Sequence, residues 1–181
     1  MLSLVALVGV LTVLNLLLTF GVIRRLREHT DLLARGTTPA ASMDGPDMPA
    51  GRRVAEFDGT TTEGEPLGRD LLAGETFVGF VSPGCTPCDE RMPELIETAR
   101  AWPGGRQDTM IVVFGRRAAA AEYIERLTSV AKVVVEAPNG PIAAAFGVKG
   151  FPIFGVVDQA GWVLRSGMEP GMHLLRGTAP A

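Results

Sequence analysis

Cysteine is scarce in this 181-residue chain: there are two, Cys85 and Cys88, and histidine is equally rare, at His29 and His173. Two cysteines do not build a disulfide framework, nor do they complete a tetrahedral zinc site by themselves. The histidines lie far from them in sequence, so the cysteine pair is either chemically active or incidental. Lysine occurs only at Lys132 and Lys149, and nearly all basic charge is arginine. With the many Ala and Gly, this points to a GC-rich, bacterial genome and bears on source alone. Charged residues make up 20% of the chain, the net charge is -3, and the second half carries no basic stripe. Nucleic-acid binding therefore has no electrostatic footprint. Apolar residues are plentiful at 46%. That suits one folded domain with a proper core, plus an appendage.

The appendage is N-terminal. No ionisable side chain occurs from Leu2 to Ile23. At about 1.5 Å per helical residue this run reaches roughly 33 Å, enough to cross the hydrocarbon core of a bilayer. A cleaved signal peptide would carry basic residues before a shorter apolar core; here Arg24, Arg25 and Arg27 follow the run instead. The expectation is an uncleaved transmembrane anchor over residues 1–34, in contact with the lipid bilayer. Residues 35–52, rich in Gly, Pro, Ala and small polar residues, are expected to form a flexible linker. The folded domain is then 53–181.

Within that domain, Val54–Asp58 and Glu65–Leu67 suggest two strands around a turn, and Arg69–Leu72 a helical turn. Glu75–Ser82 is mostly apolar and rich in β-formers, as a buried central strand is. Pro83-Gly84 breaks it. From Thr86 onward Met92, Leu95, Ile96 and Ala99 fall on one helical face. Thr109–Phe114 predicts a strand, Ala118–Leu127 a helix, Ala131–Val135 a strand and Pro141–Phe146 a short helix. Ile153–Val157 and Trp162–Arg165 flank a turn at Asp158–Gly161 and predict a hairpin. Such alternation implies an α/β fold whose mixed central sheet is flanked by helices.

The cysteines sit where this pattern passes from strand to helix. A helix N-terminus presents unpaired N–H groups and partial positive charge, both of which favour a thiolate. The first cysteine's pKa is thus expected below the free value of about 8.5. Pro87 suits the first turn, where its missing N–H costs nothing. The spacing puts both sulfurs within reach of a small-ring disulfide. Cys85 is expected to be the exposed nucleophile, and Cys88, one turn deeper, the residue that resolves a mixed disulfide. Asp89 and Glu90 suit the helix dipole, yet their charge opposes a thiolate.

In this context the sequence resembles the thioredoxin superfamily over roughly Val54 to Arg165. Pro93 stands five residues after the second cysteine, where the family carries a helix proline, and Phe146–Gly161 (FGVKGFPIFGVVDQAG) resembles the family's segment around a cis proline. The anchor, the N-terminal hairpin and the long stretch between Cys88 and Pro152 are similar to the membrane-anchored TlpA/ResA-like branch, which shares its AhpC/TSA-like fold with peroxidases and also includes the anchored accessory protein of methylamine dehydrogenase maturation. The resemblance implies a thioredoxin-like fold preceded by one transmembrane helix, and a thiol–disulfide oxidoreductase with Cys85 and Cys88 as its redox pair. It implies a substrate platform of Gly150, Phe151 and Pro152, with Phe151–Pro152 cis, beside Pro83 and Gly84. Partners would be protein thiols and disulfides and a membrane electron donor or acceptor; no cofactor or metal is implied. Departures are Gly84 where thioredoxin has Trp, Gly79 in place of the buried acid six residues before the first cysteine, and Phe151 where a small or β-branched residue is usual. Loss of that acid leaves the base for Cys88 unassigned, with Glu94 or water as candidates.

Two other functions use the same residues. A peroxiredoxin, with antioxidant activity, needs Pro-x-x-x-Thr-x-x-Cys; counted back from Cys85, Ser82 replaces Thr but Val78 stands in place of Pro. A Cu(I) carrier would use both thiolates; related carriers add a His from a loop near the groove and space their cysteines further apart, whereas His173 stands in the C-terminal tail. On location the signals conflict. Arg24, Arg25, Arg27 and Arg35 favour a cytoplasmic domain; the resemblance favours an extracytoplasmic one, where disulfides persist. The expectation adopted is a single-pass cell-membrane protein with its domain outside.

Overall fold

A computed structural model of the chain describes residues 47–171. The expected anchor over residues 1–34 and the first part of the linker lie outside the described residues. Among the described residues, no helix is long and apolar enough to cross a membrane.

A short antiparallel hairpin opens the fold, β1 (Asp58–Thr60) with β2 (Pro66–Gly68). One turn of 3-10 helix, Arg69–Leu71, follows. The main sheet comprises β3 (Thr76–Val81), β4 (Thr109–Phe114), β5 (Lys132–Glu136), β6 (Ile153–Val157) and β7 (Val163–Gly167), in the order β5-β4-β3-β6-β7. β3–β4 and β4–β5 pair in parallel, and β3–β6 and β6–β7 antiparallel. Three helices join them: α1 (Thr86–Ala101), α2 (Ala121–Leu127) and α3 (Pro141–Phe146).

Every residue of β3, β4 and β6 is buried. Their alternating side chains feed two cores. On one side Phe77, Val81, Ile111, Val113, Phe154 and Val156 pack with Cys88, Met92 and Leu95 of α1 and Tyr123 and Leu127 of α2. On the other, Val78, Phe80, Met110, Val112, Phe114 and Ile153 pack with Ile142 and Phe146 of α3 and with Met48, Val54 and Phe57. The central strand β3 therefore points its C-terminal end into the junction where α1 begins.

Several boundaries differ from the sequence expectation. Val54–Phe57 form no strand ladder with β2, because their amides are used elsewhere: Val54 donates to the Gly161 carbonyl and Ala55 to that of Ala145. The strand starts at Asp58 instead. The expected helix at Ala118 begins at Ala121; Ala119 and Ala120 donate to the Arg116 carbonyl in a preceding turn, and no side chain caps the helix. The last residues of the expected linker are packed. Met48 is buried, and Gly51 donates to the Val163 carbonyl while Val163 donates to that of Arg52. These ladder-like bonds extend the β7 edge, so the domain includes residues 47–52.

Candidate redox site

β3 ends at Val81, and Ser82-Pro83-Gly84 turns the chain into α1. Gly84 has a φ of 77°, in the left-handed region that favours glycine. A tryptophan, as thioredoxin carries here, would be strained. Cys85 is the N-cap of α1, with extended backbone (φ -94°, ψ 105°), and Pro87 occupies the first turn. The Cys85 carbonyl accepts the amides of Cys88 (2.9 Å) and Asp89 (3.1 Å). This turn places Cys85 half-buried at the surface and Cys88 wholly inside, among Met92, Leu95 and Val81. The two form a disulfide with Cα atoms 5.2 Å apart.

The second wall comes from a distant part of the chain. α3 ends at Gly147, and the loop 148–152 leads into β6. The Phe151–Pro152 bond is cis, and Cys85 Sγ lies 3.9 Å from the Phe151 carbonyl oxygen. Of the expected platform, Gly150 and Pro152 are buried, whereas Phe151 is partly open to solvent. Its ring stacks on Phe114 at the end of β4. Pro83 and Gly84 are accessible beside Cys85, and Gly115 approaches Pro83 from the β4 side. The structure thus brings together all seven residues expected from sequence, with Phe151 as the side chain that the loop presents.

Position 79 explains a departure. Gly79 pairs with Ile111 on one side and Phe154 on the other. A Cβ there would stand 2.7 Å from Ile111 Cδ1 and 3.0 Å from Phe154 Cδ1. The space that would hold an acid is occupied by these neighbours. Glu94, a candidate base, is half-exposed and faces Arg91 at 3.9 Å, and no contact joins it to Cys88.

Two residues were not singled out from sequence. Glu136, at the end of β5, is buried, and its carboxylate accepts the amides of Ile142 (2.7 Å) and Ala143 (3.0 Å). It satisfies the N-terminus of α3, the helix that carries the Phe151 loop. Tyr123, the only tyrosine, donates its hydroxyl to Asp89 Oδ1 at 2.5 Å. Burial, then this hydrogen bond to a carboxylate, hold its pKa well above the ordinary 10.0. An acidic residue after a strand of Val and a lone Tyr in a helix were the only sequence signals, and neither names its partner. Among the described residues no cluster of His, Cys, Asp and Glu suits a metal ion; His29 and His173 lie outside them.

No family model matches the chain, and no curated protein matches it in sequence. Solved structures do match. The thioredoxin domain of a thiol-disulfide oxidoreductase from Bacteroides vulgatus is similar at 19% identity and a TM-score of 0.55, covering 68% of this chain and 91% of that one. A thio-disulfide isomerase from Thermus thermophilus is similar at 21% identity and a TM-score of 0.55, covering 67% and 87%. A thioredoxin-family thiol:disulfide interchange protein from Chlorobium tepidum is similar at 21% identity and a TM-score of 0.53, covering 67% and 88%. The fold is thioredoxin-like, and its structural neighbours are thiol–disulfide oxidoreductases of that superfamily.

Proposed function

We propose that this chain is a membrane-tethered thiol–disulfide oxidoreductase that exchanges disulfides with protein substrates through Cys85 and Cys88. The observation that carries the reading is the position of Cys85 Sγ, at the N-cap of α1 and 3.9 Å from the Phe151 carbonyl in the cis-proline loop. An extended substrate segment lying along that loop meets the sulfur directly.

In the reducing direction the dithiol form acts. The Cys85 thiolate attacks one sulfur of the substrate disulfide, forming a mixed disulfide and releasing the other substrate sulfur as a thiolate, which takes a proton. Cys88 then loses its proton and attacks Cys85. The Cys85–Cys88 disulfide forms, and the second substrate thiol leaves. Two electrons pass to the substrate, and a membrane electron donor restores the dithiol. Run backwards, the same steps oxidise a substrate dithiol and need an acceptor. The helix dipole favours thiolate at Cys85 over the buried Cys88.

The uncharged run from Leu2 to Ile23 supports a membrane tether. An extracytoplasmic domain is supported by the persistence of disulfides outside the cytoplasm. A membrane-impermeant maleimide applied to intact, gently reduced cells tests the side: labelling of Cys85 before lysis is expected, and labelling only after lysis places the domain in the cytoplasm.

The exchange itself is tested by trapping. Cys88→Ser is expected to accumulate a mixed disulfide with its substrates, and Cys85→Ser to trap none. Trapping by Cys85→Ser instead would reverse the roles. Insulin reduction in the presence of dithiothreitol, absent in both variants, reads the activity directly.

A further inference from the structure

Asp89 poses a conflict at the head of α1. It lies four residues after Cys85, the spacing that makes helical neighbours. An acid in the first turn stabilises the helix through its dipole, but the same charge opposes the Cys85 thiolate that exchange requires.

We propose that Tyr123 is a positioning residue for this reaction: its hydroxyl holds the Asp89 carboxylate toward α2, and so limits how strongly that charge opposes the Cys85 thiolate. This rests on the oxidoreductase reading and deepens it. The Tyr123 hydroxyl donates to Asp89 Oδ1 at 2.5 Å, while the Cys85 sulfur faces the Phe151 carbonyl. The same hydroxyl oxygen lies 3.5 Å from the carbonyl oxygen of Ser82, the residue that leads into Pro83-Gly84-Cys85. The phenol ring is only 3% exposed and packs in the core that holds Cys88, so its hydroxyl is a fixed donor. It also stays protonated, because its pKa is raised.

Arg126 and Glu122 on α2 act on the Tyr123 hydroxyl, and the cations of these elements pair with other carboxylates. On α1, Arg91 reaches Glu169 at 2.9 Å; on α2, Arg126 reaches Glu122 at 3.5 Å; in the cis-proline loop, Lys149 reaches Asp47 at 2.8 Å. Glu90 on α1 is exposed, as is Arg116 ahead of α2. The Asp89 carboxylate is held by a neutral phenol, which fixes its direction and leaves its charge in place.

The test is a double-mutant cycle read as the pKa of Cys85 in the reduced protein, from thiolate absorbance and the pH dependence of its alkylation. Tyr123→Phe frees the carboxylate and is expected to raise that pKa by about 0.2 unit, the difference in a watery medium between one charge some 10 Å away and the same charge some 6 Å away. Asp89→Asn alone is expected to lower it by about 0.3 unit, the effect of a charge held some 10 Å off and short of the half unit of an unrestrained one. In the Asp89→Asn background, Tyr123→Phe should move it by less than about 0.1 unit. An unchanged pKa in Tyr123→Phe overturns the proposal. So does an equal shift in both backgrounds, which would mean that the ring acts through packing. Should Tyr123→Phe not fold, Asp89→Asn decides alone, since a fall of half a unit or more would show an unrestrained charge. The cycle reads charge coupling without any substrate, so failure of the oxidoreductase reading shows separately, as a wild-type protein that traps no partner and reduces no insulin.

Discussion

Phe151 stacks on Phe114 with ring centroids 5.4 Å apart and planes inclined by 25°. One residue ends β4 and the other precedes the cis proline, so the contact holds the cis-proline loop onto the sheet. The resemblance to thioredoxins implies a smaller side chain at position 151. Here the aromatic ring is partly open to solvent, and the backbone carbonyl of the same residue lies 3.9 Å from Cys85 Sγ.

Phe151→Ala is expected to lower kcat/KM for insulin by about tenfold, the loss of one well-placed aromatic contact. Alkylation of Cys85 by iodoacetamide should change by less than about twofold, because that small reagent needs no platform. Equal losses in both assays would show that Phe151 tunes the cysteine and does not touch the substrate.

Gly79 is walled in by Ile111 and Phe154. Gly79→Ala should destabilise the domain by about 1–3 kcal/mol, the usual cost of overpacking a core. Gly79→Asp should cost more, since it adds a buried charge. Urea unfolding of the oxidised proteins measures both, and an Asp variant as stable as wild type would show that the site has room for the missing acid.

Glu136 caps α3 with both carboxylate oxygens. Glu136→Ala leaves two buried amides without acceptors and is expected to cost about 1–3 kcal/mol. Glu136→Gln keeps one acceptor oxygen and should cost less. Hydrogen exchange at the Ile142 and Ala143 amides locates the effect, and exchange accelerated elsewhere but unchanged there would contradict it.

Tyr123 also sets an alkaline limit. Its pKa is raised in the folded domain by burial and by its bond to Asp89. Below pH 10 the phenol is neutral in folded and unfolded chains alike, and its contribution is fully present. Above pH 10 the unfolded chain loses the proton while the folded one retains it, so stability falls as pH rises. The fall from pH 9 to 11 should be steeper in wild type than in Tyr123→Phe, as followed by urea midpoints. Parallel curves would mean that Tyr123 ionises as freely folded as unfolded.

Much of the architecture was legible locally. Thr109–Phe114, Pro141–Phe146 and Ile153–Val157 form the elements their apolar patterns predict, to the residue. Cys85 and Cys88 were identified by their place between a buried strand and a helix. These signals live within a few residues of one another, in side-chain periodicity and in the turn chemistry of Pro83-Gly84, and a linear reading captures them. Contacts across the chain are different. The Cys85–Phe151 approach spans 66 residues and the Tyr123–Asp89 bond 34. Resemblance pointed to the first; nothing in the order of residues pointed to the second. The same holds for Glu136 beneath α3, for Met48 folded onto the second core, and for the crowding that keeps position 79 a glycine. Each depends on which surfaces the sheet order brings together, and a hydrogen bond or a van der Waals contact has a range of only a few ångströms. The sequence by itself determined most of the strands and helices and where the sulfurs sit; tertiary packing decided where expected strand residues such as Val54–Phe57 give way, and which groups surround the sulfurs.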